Sequence, residues 1–406
     1  MSRNLAFWLC TTLLLISRSA IAEPQVQLGI DVLRADGFAL LQGKRVGLVA
    51  NPASVDTKLQ PTVRVLLEAP GVTLAALFGP EHGVWGDVYA GEQVEDQIDA
   101  TTGLPVYSLY ARNRKPSKEM LDSIDVLVLD LQDIGARSYT YISTMRACLE
   151  ACAEHDKPFI VLDRPNPLGG IRVEGGPVEP GFESFVSYLD IPYLHGMTMG
   201  ELAMLARDRH APAFEKLSVV RMRGWTREMT WPDTGLTWVP TSPHIPTFAA
   251  AVGYAVTGIA GELRQLSNGV GYTQPFEIVG MPGIDGERLA AELRRHLHGE
   301  GIVIRPIRFR PFYSTHAQVA CQGVQFHVDP RRAQTLIEWN YRIIQALGGK
   351  KLLEESSRRH AMFDKVNGGP AMRQALQSGE PIEPILQQWK EHAAKFAEIR
   401  RKWLLY

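Results

Sequence analysis

Four polar loops, each following an apolar run, hold most of the side chains in the first half of the chain that could do chemistry. In an open parallel sheet the carboxyl ends of the strands meet along one edge, and ligands bind there. The sequence therefore predicts one polar site at that edge, built from carboxylates, arginines and amides. The loops read Asn-Pro-Ala-Ser at 51–54, Gly-Pro-Glu-His-Gly at 79–83, Asp-Leu-Gln-Asp-Ile-Gly-Ala-Arg at 130–137 and Asp-Arg-Pro-Asn-Pro at 163–167.

Glu81 is the first candidate for acid–base catalysis. A Gly-Pro pair precedes it and Gly83 follows closely, so the backbone is constrained and the side chain is aimed. Apolar neighbours such as Phe78 and Trp85 could raise its pKa and let it donate a proton. The alternative is a loop carboxylate that caps a helix or pairs with an arginine. The adjacent His82 could bind a ligand or simply hydrogen-bond a backbone carbonyl.

The aspartates and the arginine of the later loops allow two interpretations. Asp130 lies inside an apolar run and belongs either to a buried structural pair or to the site. Asp133 lies past the end of that run, where a ligand could reach it. Asp163 and Arg164 could pair with each other, but the fork of an arginine also suits the carboxylate of a ligand.

Apolar runs alternate with amphipathic segments through the first half of the chain and predict a parallel sheet with helices on both faces. The last helix of this half begins near Tyr139 and Tyr141, which could stack on a sugar ring or be ordinary helix residues. The predicted strands are 45–50, 72–78, 104–107, 125–131 and 159–162, and the predicted helices are 62–68, 117–124 and 139–155.

After about residue 185 the pattern loosens and predicts a second, α+β domain packed on the first. The fold class is therefore α/β, with a first domain at 23–185 and a smaller domain at 186–406 that closes the cleft. Predicted strands of this part are 276–279, 303–309, 324–328 and one within 212–223. Its predicted helices lie within 195–207, at 286–298, at 331–347 and in a segment ending near Trp403.

The first 22 residues have the order of a secretory signal peptide. Arg3 is followed by an apolar run and then by small residues up to Ala22. The run is too short for a spanning helix, so we expect cleavage after Ala22, a periplasmic protein and no stable membrane insertion afterwards. A formal net charge of −1 favours neither nucleic acid nor an anionic membrane as a partner.

Three cysteines, Cys148, Cys152 and Cys321, remain after signal cleavage. Cys148 and Cys152 are four residues apart and lie on one face of a predicted helix. We expect buried free thiols, with a disulfide as the alternative in an oxidising compartment.

Motifs of several other enzyme classes are absent from the sequence. It has no Gly-x-Gly-x-x-Gly after the first strand, no phosphate-binding loop, no His-Glu-x-x-His pair and no Gly-x-Ser-x-Gly elbow. We therefore expect neither a cofactor nor a metal. The spacing leaves open a metal held by Asp130, Asp133, Asp163 and a histidine.

The polar loops together resemble one family, the YbbC-like proteins, formerly a domain of unknown function. The resemblance runs from about Gly29 to the C-terminus, with the motifs in the same order and at similar spacing. Besides the four loops it includes Tyr-Thr-Tyr at 139–141, Glu-Gly at 174–175, His-Gly-Met-Thr at 195–198, Gly-Glu at 200–201 and Pro-Phe-Glu at 275–277.

Characterised members of that family are exo-acting β-N-acetylmuramidases. The resemblance implies a Rossmann-like, mostly parallel N-terminal domain, a smaller C-terminal domain, a cleft between them and no nicotinamide cofactor. It implies hydrolysis of terminal β-linked N-acetylmuramic acid from peptidoglycan saccharides or muropeptides, in cell-wall turnover and recycling. It also maps the family's glutamate onto Glu81.

Glycoside hydrolysis needs an acid and a second group that stabilises or attacks the sugar. We assign the acid to Glu81 and its partner to Asp133 or Glu262. The predicted substrate-binding residues are Asn51, His82, Arg137, Tyr139, Tyr141, Arg164, Asn166, His195 and Arg264.

The chain departs from the family pattern at two places. Family members often carry Ser-Glu-Gly-Arg-Gly-Thr-Thr-Arg where residues 267–274 read Ser-Asn-Gly-Val-Gly-Tyr-Thr-Gln. A glutamate and two arginines are thus replaced by Asn268, Val270 and Gln274. His244 stands where relatives have asparagine. If those arginines hold the lactyl carboxylate of muramic acid, this chain needs another cation, such as Arg264, or a different substrate.

Two other classes of function fit the same composition. A periplasmic binding protein for a sugar or muropeptide would close two similarly built lobes on its ligand without turnover. A metal-dependent hydrolase or deacetylase of cell-wall fragments would lose its activity on chelation.

Overall fold

The structure is a computed structural model that describes residues 26–89, 92, 96–110 and 113–406. The predicted signal peptide at 1–22 lies outside these residues. The strands are β1 Arg45–Ala50, β2 Thr73–Gly79, β3 Gln97–Ile98, β4 Pro105–Ser108, β5 Val126–Asp130, β6 Phe159–Leu162, β7 Leu217–Val220, β8 Ile278–Met281, β9 Ile302–Phe309 and β10 Cys321–Val328.

Helices and a few short 3₁₀ turns, separated by loops, lie before, between and after these strands. The helices are α1 Gly29–Ala35, α2 Thr62–Leu67, α3 Lys118–Asp122, α4 Tyr141–Glu154, α5 Met199–His210, α6 Phe248–Gly261, α7 Gly286–Arg294, α8 Glu338–Ala346, α9 Gly349–Glu355, α10 His360–Asn367, α11 Ala371–Ser378 and α12 Glu383–Ile399. None of the described helices is long and apolar enough to cross a membrane.

Strands β1 to β7 form one sheet in the order β3-β4-β2-β1-β5-β6-β7. All neighbours are parallel except β3 and β4. Val126 and Val128 face a core that contains α1 and α2, whereas Leu127 and Leu129 face the core that contains α4 and α5. Because both faces of the strand are buried, the sequence shows a continuous apolar run there. The predicted parallel sheet with helices on both faces is confirmed.

The first domain extends further along the chain than the sequence pattern indicated. Strand β7 pairs in parallel with β6, so Leu217–Val220 belongs to the first sheet although it lies beyond the predicted boundary at residue 185. The segment between them includes α5, which packs on β6 and β7 as a crossover helix. The loosened pattern after residue 185 reflects the long loop that precedes α5, not the start of a new domain.

The second domain is built around an antiparallel sheet in the order β8-β10-β9. Helices α6 to α8 pack on this sheet or on each other, and α9 to α12 surround them. Helix α6 was missed in the sequence analysis because its residues are small or apolar nearly throughout, so no amphipathic period marks it. The helix is buried along most of its length.

Arginines and a tyrosine join the two domains through hydrogen bonds to buried groups. Arg137, in the loop after β5, donates to the carbonyl oxygens of Val366 and Asn367 at 3.0 and 2.9 Å. Arg400 donates to the carbonyl oxygen of His195 at 2.7 Å. The Tyr406 hydroxyl donates to Asp163 at 2.8 Å. These contacts fix the second domain against the carboxyl edge of the sheet.

The three cysteines of the described chain are buried and free, as the sequence analysis favoured. Cys148 and Cys152 lie on the face of α4 that packs into the core. Burial raises the pKa of both thiols, which keeps them in the unreactive protonated form.

Candidate active site

Glu81 lies in the tight turn that follows β2, at the carboxyl edge of the sheet. The Gly83 amide donates to the Pro80 carbonyl oxygen at 2.9 Å and closes the turn. The side chain of Glu81 is half-buried. The Thr140 hydroxyl donates to its Oε2 at 2.7 Å. Oε1 accepts no short hydrogen bond from the described residues, and the Tyr110 hydroxyl interacts with the same carboxyl group.

His82 supports the same turn in an unusual backbone conformation. Its φ of 72° lies in the left-handed region, which is uncommon for a residue with a side chain and is often found at functional sites. Nδ1 lies 3.0 Å from the carbonyl oxygen of Val88. Because a carbonyl oxygen only accepts, this contact places the ring proton on Nδ1. The backbone alternative named for His82 is therefore present.

One wall beside Glu81 comes from the loop after β4, which the sequence analysis did not include. Burial and then the negative charge of Glu81 raise the pKa of the Tyr110 hydroxyl. The Tyr110 ring lies 6.3 Å from the ring of Phe185, and the guanidinium of Arg114 lies 4.6 Å from that ring's centre. An aromatic surface with a cation thus borders Glu81.

Tyr139 and Tyr141 form the wall beneath Thr140, but they do not present open ring faces. They are only 8% and 1% exposed, and their rings meet edge to face at 4.7 Å. The Tyr139 hydroxyl contacts Thr241 Oγ1 at 2.8 Å, and the Tyr141 hydroxyl donates to the Thr241 carbonyl oxygen at 2.7 Å. Of the two predicted roles, stacking on a sugar is not supported by this burial.

His244 and Arg264 approach the same site from the other side. The His244 ring lies edge-on to the His82 ring, with their centres 6.4 Å apart. Arg264 follows α6 with a left-handed φ of 56°, and its side chain is exposed. It forms no ion pair or side-chain hydrogen bond with any residue that the structure describes. We call Glu81, His82, Tyr110, Thr140, His244 and Arg264 the Glu81 cluster.

The two predicted catalytic partners of Glu81 both make contacts within the fold, although the buried Oδ1 of Asp133 has no hydrogen-bond partner among the described residues. Asp133 is 7% exposed, and its Oδ2 accepts the Gly135 amide at 2.7 Å. His195 is fully buried, with Nε2 3.7 Å from Asp133 Oδ2. Glu262 is more accessible, and its Oε2 pairs with Arg359 at 2.9 Å. Asp133 is thus less exposed than its place after the strand indicated, because the turn folds it inward.

Arg164 forms a buried ion pair with Asp130, not with Asp163. Its Nη2 donates to Asp130 Oδ2 at 2.9 Å, and both side chains are almost fully buried. The Thr62 hydroxyl donates to the same carboxylate. The predicted pairing with Asp163 is wrong, and the fork is occupied and unavailable as a ligand clamp. Strands β5 and β6 are neighbours in the sheet, so their loops bring Arg164 beside Asp130.

Asp163 is fully buried and accepts four hydrogen bonds. Its donors are the Gly200 amide, the hydroxyls of Thr198 and Tyr406, and the Arg164 amide, at 2.7–3.1 Å. Burial is the largest influence and raises its pKa to about 6, although the hydrogen bonds act in the opposite direction. We call Asp130, Arg164, Thr62 and Asp163 the Asp130 network.

Arg137, Asn51 and Asn166 also serve the fold at the positions where ligand contacts were predicted. Arg137 is 1% exposed, and its terminal nitrogens donate to four backbone carbonyl oxygens. Asn51 accepts the Ala53 amide at 3.1 Å within its own loop. Asn166 accepts the Leu168 amide at 3.0 Å and donates to the Met197 carbonyl oxygen at 3.1 Å. Their hydrogen-bonding groups are used in closing loops and joining domains.

A separate cavity of about 770 Å³ lies between the segment 168–175, α8 and α12. None of the predicted site residues lines it. Several charged side chains in its wall pair with each other, such as Arg172 with Glu174 and Arg342 with Glu383. This cavity therefore does not extend the Glu81 cluster.

Two of the three aspartates that could have held a metal are used otherwise. Asp130 is paired with Arg164, and Asp163 is surrounded by hydrogen-bond donors. Within the described ranges no group of three or more His, Cys, Asp or Glu side chains is arranged to hold a metal ion. The two domains also differ in architecture, one with a parallel and one with an antiparallel sheet, unlike the paired lobes expected of a binding protein.

Thr140, Tyr110 and His244 are the members of the Glu81 cluster that were not selected as site residues from the sequence. Thr140 lies in the Tyr-Thr-Tyr motif at the end of the loop after β5, and the other two lie in loops of ordinary composition. Placement at the carboxyl edge of the sheet was the available signal for Thr140, because its loop follows a predicted strand.

The fold and the site together define a two-domain protein of the α/β class, with the carboxyl group of a candidate hydrolase site fixed at the edge of a mostly parallel sheet. Comparison with known proteins identifies the family. Residues 46–249 match the family model described as exo-beta-N-acetylmuramidase NamZ, N-terminal, and residues 252–406 match its C-terminal counterpart. The chain belongs to the NamZ exo-β-N-acetylmuramidase family, and the predicted glycosidase class is confirmed.

Individual relatives support this membership over nearly the whole chain. The peptidoglycan beta-N-acetylmuramidase NamZ of Bacillus subtilis (strain 168) is 41% identical over 384 residues, which are 95% of this chain and 92% of that protein. The crystal structure of the DUF1343 family protein BF0371 from Bacteroides fragilis NCTC 9343 is 46% identical, with a TM-score of 0.86 over 94% of this chain and 99% of its own. A second such protein, BF0379, is 26% identical, with a TM-score of 0.72 over the same shares.

Proposed function

We propose that the protein removes terminal β-linked N-acetylmuramic acid from peptidoglycan fragments, with Glu81 as the general acid. The observation that carries the proposal is the asymmetric contact of the Glu81 carboxyl group. Thr140 donates to Oε2, whereas Oε1 accepts no short hydrogen bond from the described residues and has only the Tyr110 hydroxyl near the carboxyl group. Membership in a family of exo-β-N-acetylmuramidases supplies the class of substrate.

The contact with Thr140 determines where a proton would reside on Glu81. Because Oε2 accepts the hydrogen bond from the Thr140 hydroxyl, it acts as the acceptor oxygen of the protonated carboxyl group. In the neutral acid the proton therefore lies on Oε1. That oxygen is the one free to reach a ligand. Glu81 can then donate the proton to the glycosidic oxygen as its bond to the sugar carbon breaks, which lets the second saccharide leave as an alcohol.

The second group of the reaction is not assigned by these contacts. Asp133 is turned into the fold by the Gly135 amide, and Glu262 is held by Arg359. Glu262 is the more accessible of the two, since its side chain is 30% exposed and that of Asp133 is 9% exposed. Glu262 is therefore the carboxylate to replace first after Glu81.

Recognition of the lactyl carboxylate is proposed for Arg264. The chain lacks the two arginines that family members often carry at 270 and 274. Arg164, the other predicted clamp, is occupied by Asp130. Arg264 is exposed, has no partner in the described part of the chain and acts electrostatically on His244 within the Glu81 cluster. A guanidinium in this position can bind two carboxylate oxygens at once.

A periplasmic location and a role in turnover and recycling of the cell wall are part of the proposal. They are supported by the signal-like order of residues 1–22 and by the type of substrate. Sequencing the N-terminus of the protein from a periplasmic extract should give Glu23 as the first residue. Recovery of the protein with an intact N-terminus in the membrane fraction would contradict this location and indicate a membrane-anchored protein.

Replacement of Glu81 by glutamine tests the catalytic assignment. Glutamine keeps the shape and the contact with Thr140 but cannot supply the proton, so turnover of a natural disaccharide should fall by about 10²–10⁴-fold. A nitrophenyl β-N-acetylmuraminide has a good leaving group and should be less affected. Binding and melting temperature should change little, and Asp87→Asn, which alters an exposed carboxylate in the same loop, should keep full activity.

The outcomes separate three cases. Equal loss on both substrates would show that Glu81 positions the sugar or stabilises its charge and does not protonate the leaving oxygen. Full activity of Glu81→Gln on the disaccharide would overturn the assignment and move the search to Glu262 and Asp133. A wild-type protein that cleaves neither substrate would overturn the proposed function.

A further inference from the structure

His244 lies beside the catalytic candidates without a structural task of its own. It precedes α6 by a few residues, and Thr247 between them caps that helix by accepting the Ala250 amide at 3.0 Å. The ring of His244 lies 6.4 Å from that of His82 and 6.2 Å from that of Tyr313. These aromatic neighbours fix the position of the imidazole at the Glu81 cluster.

The imidazole of His244 has hydrogen-bonding capacity that the described fold does not use. Its Nε2 is buried and has no hydrogen-bond partner among the described residues. Buried polar groups in native proteins are nearly always satisfied, so such an atom indicates a bound water or a ligand group. By contrast, Nδ1 of His82 forms a hydrogen bond with the Val88 carbonyl oxygen.

The surroundings of His244 favour its neutral form. Burial, and then the electrostatic influence of His82 and Arg264, lower its pKa, and the carboxylate of Glu81 opposes them less strongly. A neutral imidazole has one donor and one acceptor nitrogen and no net charge. It suits an uncharged polar group, whereas the exposed guanidinium of Arg264 suits a carboxylate.

We propose that His244 is a specificity residue that hydrogen-bonds an uncharged amide or hydroxyl group of the bound sugar through its buried Nε2, beside the carboxylate subsite of Arg264. This inference rests on the proposed function and deepens it. It divides recognition into two parts. His244 contacts a group that N-acetylmuramic acid shares with N-acetylglucosamine, and Arg264 contacts the lactyl carboxylate that only the former carries.

Two substitutions at His244 test the contact. His244→Leu has a similar size but no hydrogen-bonding group, and His244→Asn keeps both a donor and an acceptor. With a nitrophenyl β-N-acetylmuraminide, the leucine variant should raise KM about tenfold with kcat within about threefold of wild type, because the contact exists before and during the reaction. The asparagine variant should stay within about threefold of wild type in both constants.

Direct binding of the free sugars provides the second readout and Arg264→Met the matched control. By calorimetry, His244→Leu should weaken the binding of N-acetylmuramic acid and of N-acetylglucosamine by similar factors. Arg264→Met should weaken only the binding of N-acetylmuramic acid. The melting temperature of each variant checks that the fold is kept. Should the leucine variant fail to fold, comparison of His244→Asn with His244→Ala gives the same contrast.

Three results would overturn the inference. They are unchanged binding in the leucine variant, loss restricted to the charged sugar, and equal loss in the asparagine and leucine variants. The second would mean that His244 acts through Arg264, and the third that its ring only supports the loop. If wild-type protein bound these sugars but did not cleave the glycoside, the proposed function would fail while the binding comparison still decided the role of His244.

Discussion

The Asp130 network and the Glu81 cluster lie at the same edge of the same sheet, yet their polar groups are used differently. In the Asp130 network both side chains of the ion pair are buried and Asp163 accepts four hydrogen bonds. In the Glu81 cluster, Glu81 Oε1 accepts no short hydrogen bond and His244 Nε2 has no partner among the described residues. His82 and Arg264 there adopt left-handed backbone conformations. A charged residue after a strand therefore identifies the edge of the sheet, and the free hydrogen-bonding atoms of the Glu81 cluster distinguish it from the Asp130 network.

The largest effect on stability is expected from breaking the ion pair of the Asp130 network. Arg164→Met leaves the buried carboxylate of Asp130 without its main partner, which typically costs about 3–5 kcal/mol of folding free energy. Urea unfolding should show this loss, whereas the folded fraction should keep its preference among sugars. If the variant were as stable as wild type and its sugar preference were altered, Arg164 would be assigned to ligand binding and not to the stability of the fold.

The pH dependence of stability tests how Asp163 is held. Its pKa is 3.8 when unperturbed and about 6 in the fold, so the folded state favours its protonated form. The resulting stability is fully present below pH 3.8 and is lost as pH rises through 6. The free energy of unfolding of wild type relative to Asp163→Asn should thus fall by up to about 3 kcal/mol between pH 4 and pH 7.

Unfolding of both proteins by urea across that pH range provides the measurement. Taking the difference between wild type and variant removes the contribution of the other carboxylates. A difference that stays flat or grows with pH would show that the four donors keep Asp163 charged, and the network would then resemble an anion site more than a buried neutral acid.

The smallest effect is expected at the exposed cation of the Glu81 cluster. Arg264→Met should reduce the preference for N-acetylmuramic acid over N-acetylglucosamine about tenfold, since exposure weakens a charge-assisted contact worth about 1.5–3 kcal/mol elsewhere. Its unfolding free energy should equal that of wild type, in contrast with Arg164→Met. If the preference for N-acetylmuramic acid over N-acetylglucosamine were unchanged, Arg264 would not be the residue that binds the carboxylate. Arg114 would then be the next cation to replace.

The elements that the sequence predicted best are the inner strands. β1, β5 and β6 are buried on both faces, so continuous apolar runs mark them to within one or two residues. The seventh strand and α6 were harder to recognise. β7 is short and only partly buried, and α6 is too uniformly apolar to show a helical period.

The candidate site was predicted as a place more accurately than as a set of residues. The loop containing Glu81 does lie at the carboxyl edge, as expected of parallel strands. Which polar groups pair with each other depends on strand order, and β1 stands between β2 and β5 in the sheet. A sequence without that order cannot show that Arg164 meets Asp130, or that Thr140 reaches Glu81 from 59 residues away.

The arginine contacts between the domains limit how the molecule can move. Arg137 donates to two carbonyl oxygens of the second domain, and Arg400 donates to carbonyl oxygens of the first domain. The boundary between the two family models falls within the first turn of α6. A hinge rotation of one domain would leave charged guanidinium groups buried without acceptors, at a cost of several kcal/mol. We therefore expect the two domains to keep their relative orientation when a sugar binds.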